Sequence, residues 1–274
     1  MSLEKTLDEL GSVIQKGEEI FAKAGEKFSA TYAITPDKVT TAALLFRKVI
    51  EKLDGIFILI ENGASNVAKS LVRDLFENVL YLKFMLDESH FERRANAYYF
   101  AYFKNQHSFA YSMSSQNEKG IEVRRYLKKE LPDQMINEQK NNAKAQINKG
   151  YLKNIKIEWE RLARKKKYPT WYSLFNGPKT IREMAIQLGY GAVYDTVYNF
   201  YSREVHSGNV YSQLTEIEGE KTGIYQLRNF ENVDSIVSLS KTFGMQAIKI
   251  FSDFFELESK EDFKSWYKEN FKIL

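Results

Sequence analysis

Cysteine is absent from the 274-residue chain. Its absence excludes disulfide scaffolds, zinc sites built from thiolates, and cysteine nucleophiles. Only four prolines and fourteen glycines interrupt the sequence, and so few turn-forming residues favour long helices. The apolar run at residues 56–60 is far shorter than the roughly twenty residues that a membrane span needs, and no apolar run in the sequence approaches that length. Without such a run or an apolar leader segment, we expect a cytoplasmic location.

The sequence also lacks the common motifs of enzymes that use phosphate loops, metals or serine nucleophiles. It contains no GxxxxGK[ST], no HExxH and no GxSxG pattern. Three histidines, His90, His107 and His206, leave little for a histidine-rich metal site. We therefore predict no metal and no cofactor.

Helical periodicity covers almost all of what remains. Apolar residues recur at helical spacing over residues 2–28, 36–61, 65–86 and 233–257, and only residues 225–227 suggest a short strand. We predict an all-α fold, a multi-helix bundle of about eight to ten helices. Residues 1–274 are interpreted as a single domain, since no boundary divides them.

Positive charge is concentrated in one part of the chain. Residues 117–167 contain fifteen Lys or Arg against seven Asp or Glu. We interpret them as a basic helical insertion and expect its long second helix to bend at Gly150. This segment suggests RNA or an acidic protein as partner. A solvated helix face is the alternative, and Arg164, Lys165, Lys166 and Lys167 also suit a helix C-terminus because cations complement the helix dipole there.

Two charged residues interrupt the apolar third helix. Arg73 and Glu77 are four residues apart, so they share one helix face. A charged pair inside an apolar helix is costly to bury unless it is well paired. One interpretation is a salt bridge that fixes helix packing. The other is an arginine positioned for an anionic ligand, with Glu77 holding its guanidinium in place.

A second polar line follows the helix predicted from about residue 192 to 206. Asp195, Asn199, Ser202 and His206 lie at spacings of four, three and four, beside an apolar stripe that includes Tyr198 and Tyr201. Arg203 precedes His206 by three residues. A histidine at a helix C-terminus can serve acid–base chemistry on a phosphodiester, with Arg203 and a tyrosine hydroxyl nearby. It can equally cap free carbonyls.

Two segments carry a family resemblance. They are Lys69–Glu77 followed by Tyr81-Leu82, and Tyr198–Ser207. Together they resemble a family of uncharacterised bacterial helical proteins, catalogued as a domain of unknown function, over roughly residues 40–215. The resemblance implies an all-helical fold.

The second segment also resembles, more loosely, the HEPN-type proteins, which are helical, often dimeric, and often ribonucleases in phage defence. Their hallmark is an arginine, four to six residues, and then a histidine near a helix end. Here Arg203 and His206 have only two residues between them, and Asn199 stands where the arginine is expected. The resemblance implies metal-independent RNA cleavage in phage defence or stress response, and it makes a homodimer an expectation.

This hypothesis assigns roles to the candidate residues. His206 is the acid–base group, Arg203 stabilises the phosphate, and Arg73 with Glu77 orients the site. The expected binding residues are Tyr198, Asn199, Tyr201 and Ser202, with Arg164, Lys165, Lys166 and Lys167 holding RNA phosphates. Two alternatives stay open: a non-catalytic binding or scaffold protein, and a small-ligand sensor with a polar pocket between helices.

Overall fold

The computed structural model describes residues 2–127, 132–165, 168–205, 210–217 and 221–271. These residues are almost wholly helical, and one small antiparallel sheet accompanies the helices. The predicted all-α fold is therefore confirmed. No helix in these ranges is both long and apolar enough to cross a membrane.

The elements are numbered in chain order. The α-helices are α1 (Leu3–Thr31), α2 (Asp37–Glu61), α3 (Ser65–Met85), α4 (Phe91–Met113), α5 (Glu118–Leu127), α6 (Asp133–Ile147), α7 (Lys153–Ala163), α8 (Ile181–Gln187), α9 (Gly191–Val193), α10 (Asn199–Val205), α11 (Val233–Phe255) and α12 (Lys260–Asn270). A π-helical turn, Tyr194–Tyr198, joins α9 to α10, and 3₁₀ turns occupy Gly150–Leu152, Trp171–Asn176 and Val210–Gln213. The strands are β1 (Leu214–Ile217) and β2 (Lys221–Ile224).

The chain divides into two compact units. Unit 1 contains residues 2–89 and 181–271, and unit 2 contains residues 90–180. The basic segment 117–167 belongs to unit 2. The single domain expected from the sequence stays a prediction.

Unit 1 has its core where α11 packs against α1, α2 and α3. The ring of Phe46 from α2 stacks on Phe251 from α11 with centroids 4.2 Å apart, and both side chains are fully buried. Phe76 from α3 meets Phe243 from α11 at 5.0 Å. Because the other face of α3 is left to α10 and the π-helical turn, α3 connects this core with the candidate site.

Unit 2 is built around α4, which packs against α6, α7 and the Trp171–Asn176 turn. Phe100 from α4 contacts Trp159 from α7, and Tyr98 contacts Trp171. Glu158 accepts a hydrogen bond from the backbone N–H of Phe175 at 2.9 Å, where the chain takes a left-handed conformation. This carboxylate therefore ties the turn to α7.

Two local predictions were wrong. The long basic helix expected up to Lys167 is two helices, because the chain leaves helical geometry after Ile147 and resumes only through the 3₁₀ turn at Gly150. The second of them, α7, ends at Ala163. The strands lie at 214–217 and 221–224 rather than at 225–227, although Tyr225 extends their ladder with an N–H···O bond to Gln213.

The close approach of α11 to its neighbours depends on Gly244. A Cβ at this position would lie 2.8 Å from Cγ1 of Val13 and 2.9 Å from Cδ1 of Leu53. We expect Gly244→Ala to lower the free energy of unfolding by about 1–3 kcal/mol, since overpacking forces the helices apart. Gly25→Ala is the matched control, because nothing lies within 4 Å of its Cβ position. That change should stabilise by about 0.5–1 kcal/mol through helix propensity. Urea unfolding measures both, and equal effects would contradict the packing argument.

Candidate functional site

The candidate site begins on one face of α3. Arg73, Glu77 and Tyr81 follow one another at spacings of four, so their side chains lie in one row along the helix. Tyr81 donates its hydroxyl hydrogen to Oε1 of Glu77 at 2.6 Å, and Nη1 of Arg73 lies 3.7 Å from Oε2 of the same carboxylate. Glu77 is thereby held from both sides.

The π-helical turn places Tyr198 directly on this row. The Tyr198 hydroxyl accepts a hydrogen bond from Nη2 of Arg73 at 2.5 Å and donates one to Oε2 of Glu77 at 3.4 Å. The guanidinium carbon also lies 4.4 Å from the centroid of the Tyr198 ring. Arg73 thus contacts both the edge and the face of one tyrosine, a combination of charge-assisted hydrogen bond and cation–π contact.

Two contacts stabilise the first residues of the wide π turn. Tyr194, one turn earlier, stacks on Tyr198 with centroids 4.4 Å apart and an interplanar angle of 17°. Arg182 from α8 makes a bidentate ion pair with Asp195, at 2.8 and 2.9 Å. π-helical turns change the direction of side chains and are common at functional sites. Here the turn aims Tyr198 at α3.

Burial fixes the protonation state of Tyr198. Only 7 % of the residue is exposed. Burial, and then the negative charge of Glu77, raise the pKa of its hydroxyl to about 12. Burial likewise raises the pKa of Tyr194. Tyr198 therefore keeps its proton well above neutral pH, where it donates to Glu77 and accepts from Arg73, and it does not act as a base or nucleophile.

Arg73 is surrounded by opposite charge. Its Nη1 donates to Oδ1 of Asp74 at 3.0 Å, in addition to the contact with Glu77. Asp74 in turn lies 3.4 Å from Nζ of Lys52. Within the described residues, the buried Nε of Arg73 has no hydrogen-bond partner. The guanidinium therefore keeps one unused donor while its other nitrogens are engaged.

The structure brings together three of the predicted residues, namely Arg73, Glu77 and Tyr198. It places Arg203 and Asn199 on the exposed side of α10, where Nδ2 of Asn199 donates to the Asp195 carbonyl at 3.4 Å. Of the other two candidates on α10, Tyr201 is buried and Ser202 is half-buried. His206 lies outside the described residues.

The predicted lysine–arginine run belongs to unit 2. Arg164 and Lys165 are exposed directly after α7, whereas Lys166 and Lys167 lie outside the described residues. The charges of the described pair are therefore accessible to solvent.

Sequence reasoning missed Asp74, Tyr81 and Tyr194. Tyr81 follows Glu77 by one helical turn, so its spacing could have indicated the contact. Asp74 is adjacent in sequence to Arg73, and no periodicity distinguishes it. No local pattern distinguishes Tyr194 from the other tyrosines of its segment, and its stacking on Tyr198 is seen only in the structure. In the part of the chain that the structure describes, no three His, Asp or Glu side chains are grouped as a metal site requires.

Comparison with known proteins gives one match. A family model, described as a family of unknown function (DUF5677), matches residues 40–222. No curated protein and no solved structure matches the chain. The match includes α3, the π-helical turn and α10, which contain the residues of the candidate site.

The protonation of Tyr198 gives a test with a definite sign. Unfolded tyrosine loses its proton near pH 10, whereas the folded protein holds that of Tyr198 to about pH 12. The protonated form is favoured by folding, so this contribution to stability is complete below pH 10 and is lost as the pH rises towards 12. We expect Tyr198→Phe to lose stability less steeply than wild type over this interval. Urea unfolding at a series of pH values measures it.

Tyr211→Phe is the matched control, because Tyr211 is 82 % exposed in the same unit. It should reproduce the wild-type slope. Identical slopes for wild type and Tyr198→Phe would refute the assignment of a perturbed hydroxyl at Tyr198.

Proposed function

The chain belongs to DUF5677, a family of unknown function, and we propose that it cleaves RNA without a metal ion in the cytoplasm. The observation that carries the proposal is the contact of Tyr198 with Arg73 and Glu77. This contact fixes the start of α10, the helix that carries Arg203 and leads to His206. In this proposal Arg73 and Glu77 position the reacting groups and do not themselves touch the substrate.

The proposed chemistry uses the ribose itself as nucleophile. His206 takes the proton from a 2′-hydroxyl, whose oxygen attacks the adjacent phosphorus. The bond to the 5′-oxygen breaks, solvent supplies the proton to that oxygen, and the other fragment keeps a 2′,3′-cyclic phosphate. Arg203 stabilises the negative charge that develops on the phosphate oxygens. The exposure of Arg203 supports this role, since a substrate phosphate must reach it.

The phosphate backbone of the RNA would be held by the basic segment 117–167. Its excess of lysine and arginine supplies the sequence-independent attraction that dominates binding to nucleic acids. Arg164 and Lys165 are exposed and suit this role. A place in phage defence or stress response fits such an activity and belongs to the same proposal.

A non-catalytic binding or scaffold protein is the second candidate. One observation favours it: Arg73 is already paired with Asp74, Glu77 and Tyr198. A site whose charges satisfy one another serves to hold helices together, and α10 would then offer a fixed surface to a partner. This candidate predicts no reaction at all.

An RNA-cleavage assay with EDTA present decides between the two. We expect the purified chain to cleave a single-stranded RNA to fragments with 2′,3′-cyclic phosphate ends. The same sequence as DNA should stay intact because it lacks the 2′-hydroxyl. His206→Ala should lower the rate about 100-fold or more, since positioned acid–base groups contribute roughly 10²–10⁴-fold. Arg203→Gln should lower it by a similar factor.

His90→Ala serves as the control, because His90 precedes α4 in unit 2 and has no part in the proposed reaction. Its rate should match that of wild type. Equal rates for wild type and His206→Ala, or no cleavage by either, would remove the nuclease and favour the binding protein.

A further inference from the structure

A second cluster of positive charge lies in unit 2, between α4 and α6. Lys104 and His107 are three residues apart on α4, and Lys140 and Lys144 are four apart on α6, so each pair shares one helix face. The charges that act on the His107 imidazole are those of all three lysines. The four side chains therefore form one group, called here the lysine cluster.

Two hydrogen bonds fix the helices that hold the lysine cluster. Tyr99 donates to Oε1 of Gln146 at 2.5 Å, and Gln139 donates to Oε1 of Gln106 at 2.9 Å. Since the earlier residue of α4 meets the later residue of α6, the two helices run antiparallel. The lysine cluster lies beside the segments of α4 and α6 that these two hydrogen bonds join, so the positions of its helices are fixed.

The two helices that carry the lysine cluster, α4 and α6, contain few acidic residues. Glu92 is the only acidic residue of α4, and α6 has two, Asp133 and Glu138. Asp133 pairs with Arg124 from α5 at 2.7 Å, and Glu138 accepts a hydrogen bond from Gln134. Within the described residues, none of the three lysines forms an ion pair. Their mutual repulsion is therefore uncompensated, and an anion between them would relieve it.

The protonation of His107 follows from the same crowding. Partial burial, followed by repulsion from the three lysines, lowers the pKa of the imidazole. The imidazole is therefore neutral at pH 7 and can offer both a hydrogen-bond donor and an acceptor. Its neutral state spares the cluster a fourth positive charge while no anion is bound.

An exposed aromatic side chain adjoins the lysine cluster. Tyr111 follows His107 by four residues on the same face of α4, and 58 % of it is exposed. Proteins that bind single-stranded nucleic acid combine a positive surface along the backbone with aromatic rings on which bases stack. An acidic protein partner would favour an apolar centre with a polar rim instead. The α6 side of the cluster is lined by Asn137 and Asn141, which are exposed amides.

We propose that Lys104, His107, Lys140 and Lys144 bind the phosphodiester backbone of single-stranded RNA, with Tyr111 stacking on a base. The choice of RNA over DNA rests on the proposed function. The assignment of the binding site does not rest on the proposed function, because binding at the lysine cluster requires no reaction at α10. The cluster adds Lys104 and His107, which lie outside the basic segment 117–167, to the groups that hold RNA.

Binding is measured in the His206→Ala background, so that cleavage cannot interfere. The probe is a fluorescent single-stranded RNA of about twelve nucleotides, a length that such surfaces commonly cover. Anisotropy is recorded between roughly 50 and 200 mM salt, where phosphate contacts dominate the change in affinity. We expect the triple change of Lys104, Lys140 and Lys144 to Gln to weaken binding roughly 10- to 100-fold. The salt slope should fall by about 2, because each lost phosphate contact contributes about 0.7.

Two further variants make the result specific. Changing Lys260, Lys264 and Lys268 of α12 to Gln removes the same charge from exposed positions of unit 1, and this control should bind RNA as the parent does. Changing Lys104, Lys140 and Lys144 to Arg keeps the charge and should retain binding. Tyr111→Ala should weaken binding with no change in salt slope.

The proposal is overturned if the cluster variant and the α12 control bind alike, or if a polyglutamate peptide binds as tightly with the same dependence on the lysines. The latter would assign the lysine cluster to an acidic protein. Lysine-dependent RNA binding by a chain without cleavage activity would remove the proposed function and leave this site standing. If the cluster variant still cleaves RNA and its affinity for RNA is unchanged, the proposed function stands and the lysine cluster is not an RNA-binding site.

Discussion

The contact of Arg73 with Tyr198 joins residues that are 125 positions apart in the chain. It combines a charge-assisted hydrogen bond with the packing of a guanidinium on an aromatic face. Glu77, which lies in the same row of α3, accepts a hydrogen bond from the Tyr198 hydroxyl. A partly buried arginine is stabilised by counter-charges, since an unpaired cation out of water is costly. Glu77 and Asp74 supply them. The position of α10, and with it that of Arg203, depends on this arrangement.

The two units carry different kinds of charge. In unit 1 the charged groups of the candidate site neutralise one another, so the site is organised before any ligand arrives. In unit 2 the lysine cluster has no such compensation among the described residues. These mutually paired charges hold α3 and the start of α10 together, and in the proposed function they position Arg203 without contacting the substrate. Uncompensated cations suit the capture of a polyanion. Under the two proposals above, the first set of residues positions the reacting groups and the second binds RNA.

The helices could be predicted from sequence because their apolar periodicity is strong. The bounds of α2 and α3 agree with the prediction to within one residue, since Asn62-Gly63 and the apolar stripe of α3 define them locally. The row formed by Arg73 and Glu77 followed from their spacing. The π turn could not be predicted, because its one extra residue shifts the hydrophobic periodicity by a single position, which is too small a change to identify in so short a helix. Tyr198 was predicted as a binding residue from its place in the helix. Its contact with α3 depends on tertiary packing and could not be predicted.

The lysine cluster also could not be predicted from the sequence. Nothing in the sequence near His107 links it to Lys140 and Lys144, which are more than thirty residues later. Only the antiparallel packing of α4 and α6 brings the charges together. Hydrogen–deuterium exchange in Arg73→Met tests whether the contact with Tyr198 holds α10 in place. We predict that amides 199–205 exchange roughly tenfold faster or more, as the loss of a charge-assisted hydrogen bond implies, while α1, α2 and α11 keep their protection. Unchanged exchange at 199–205 would contradict it.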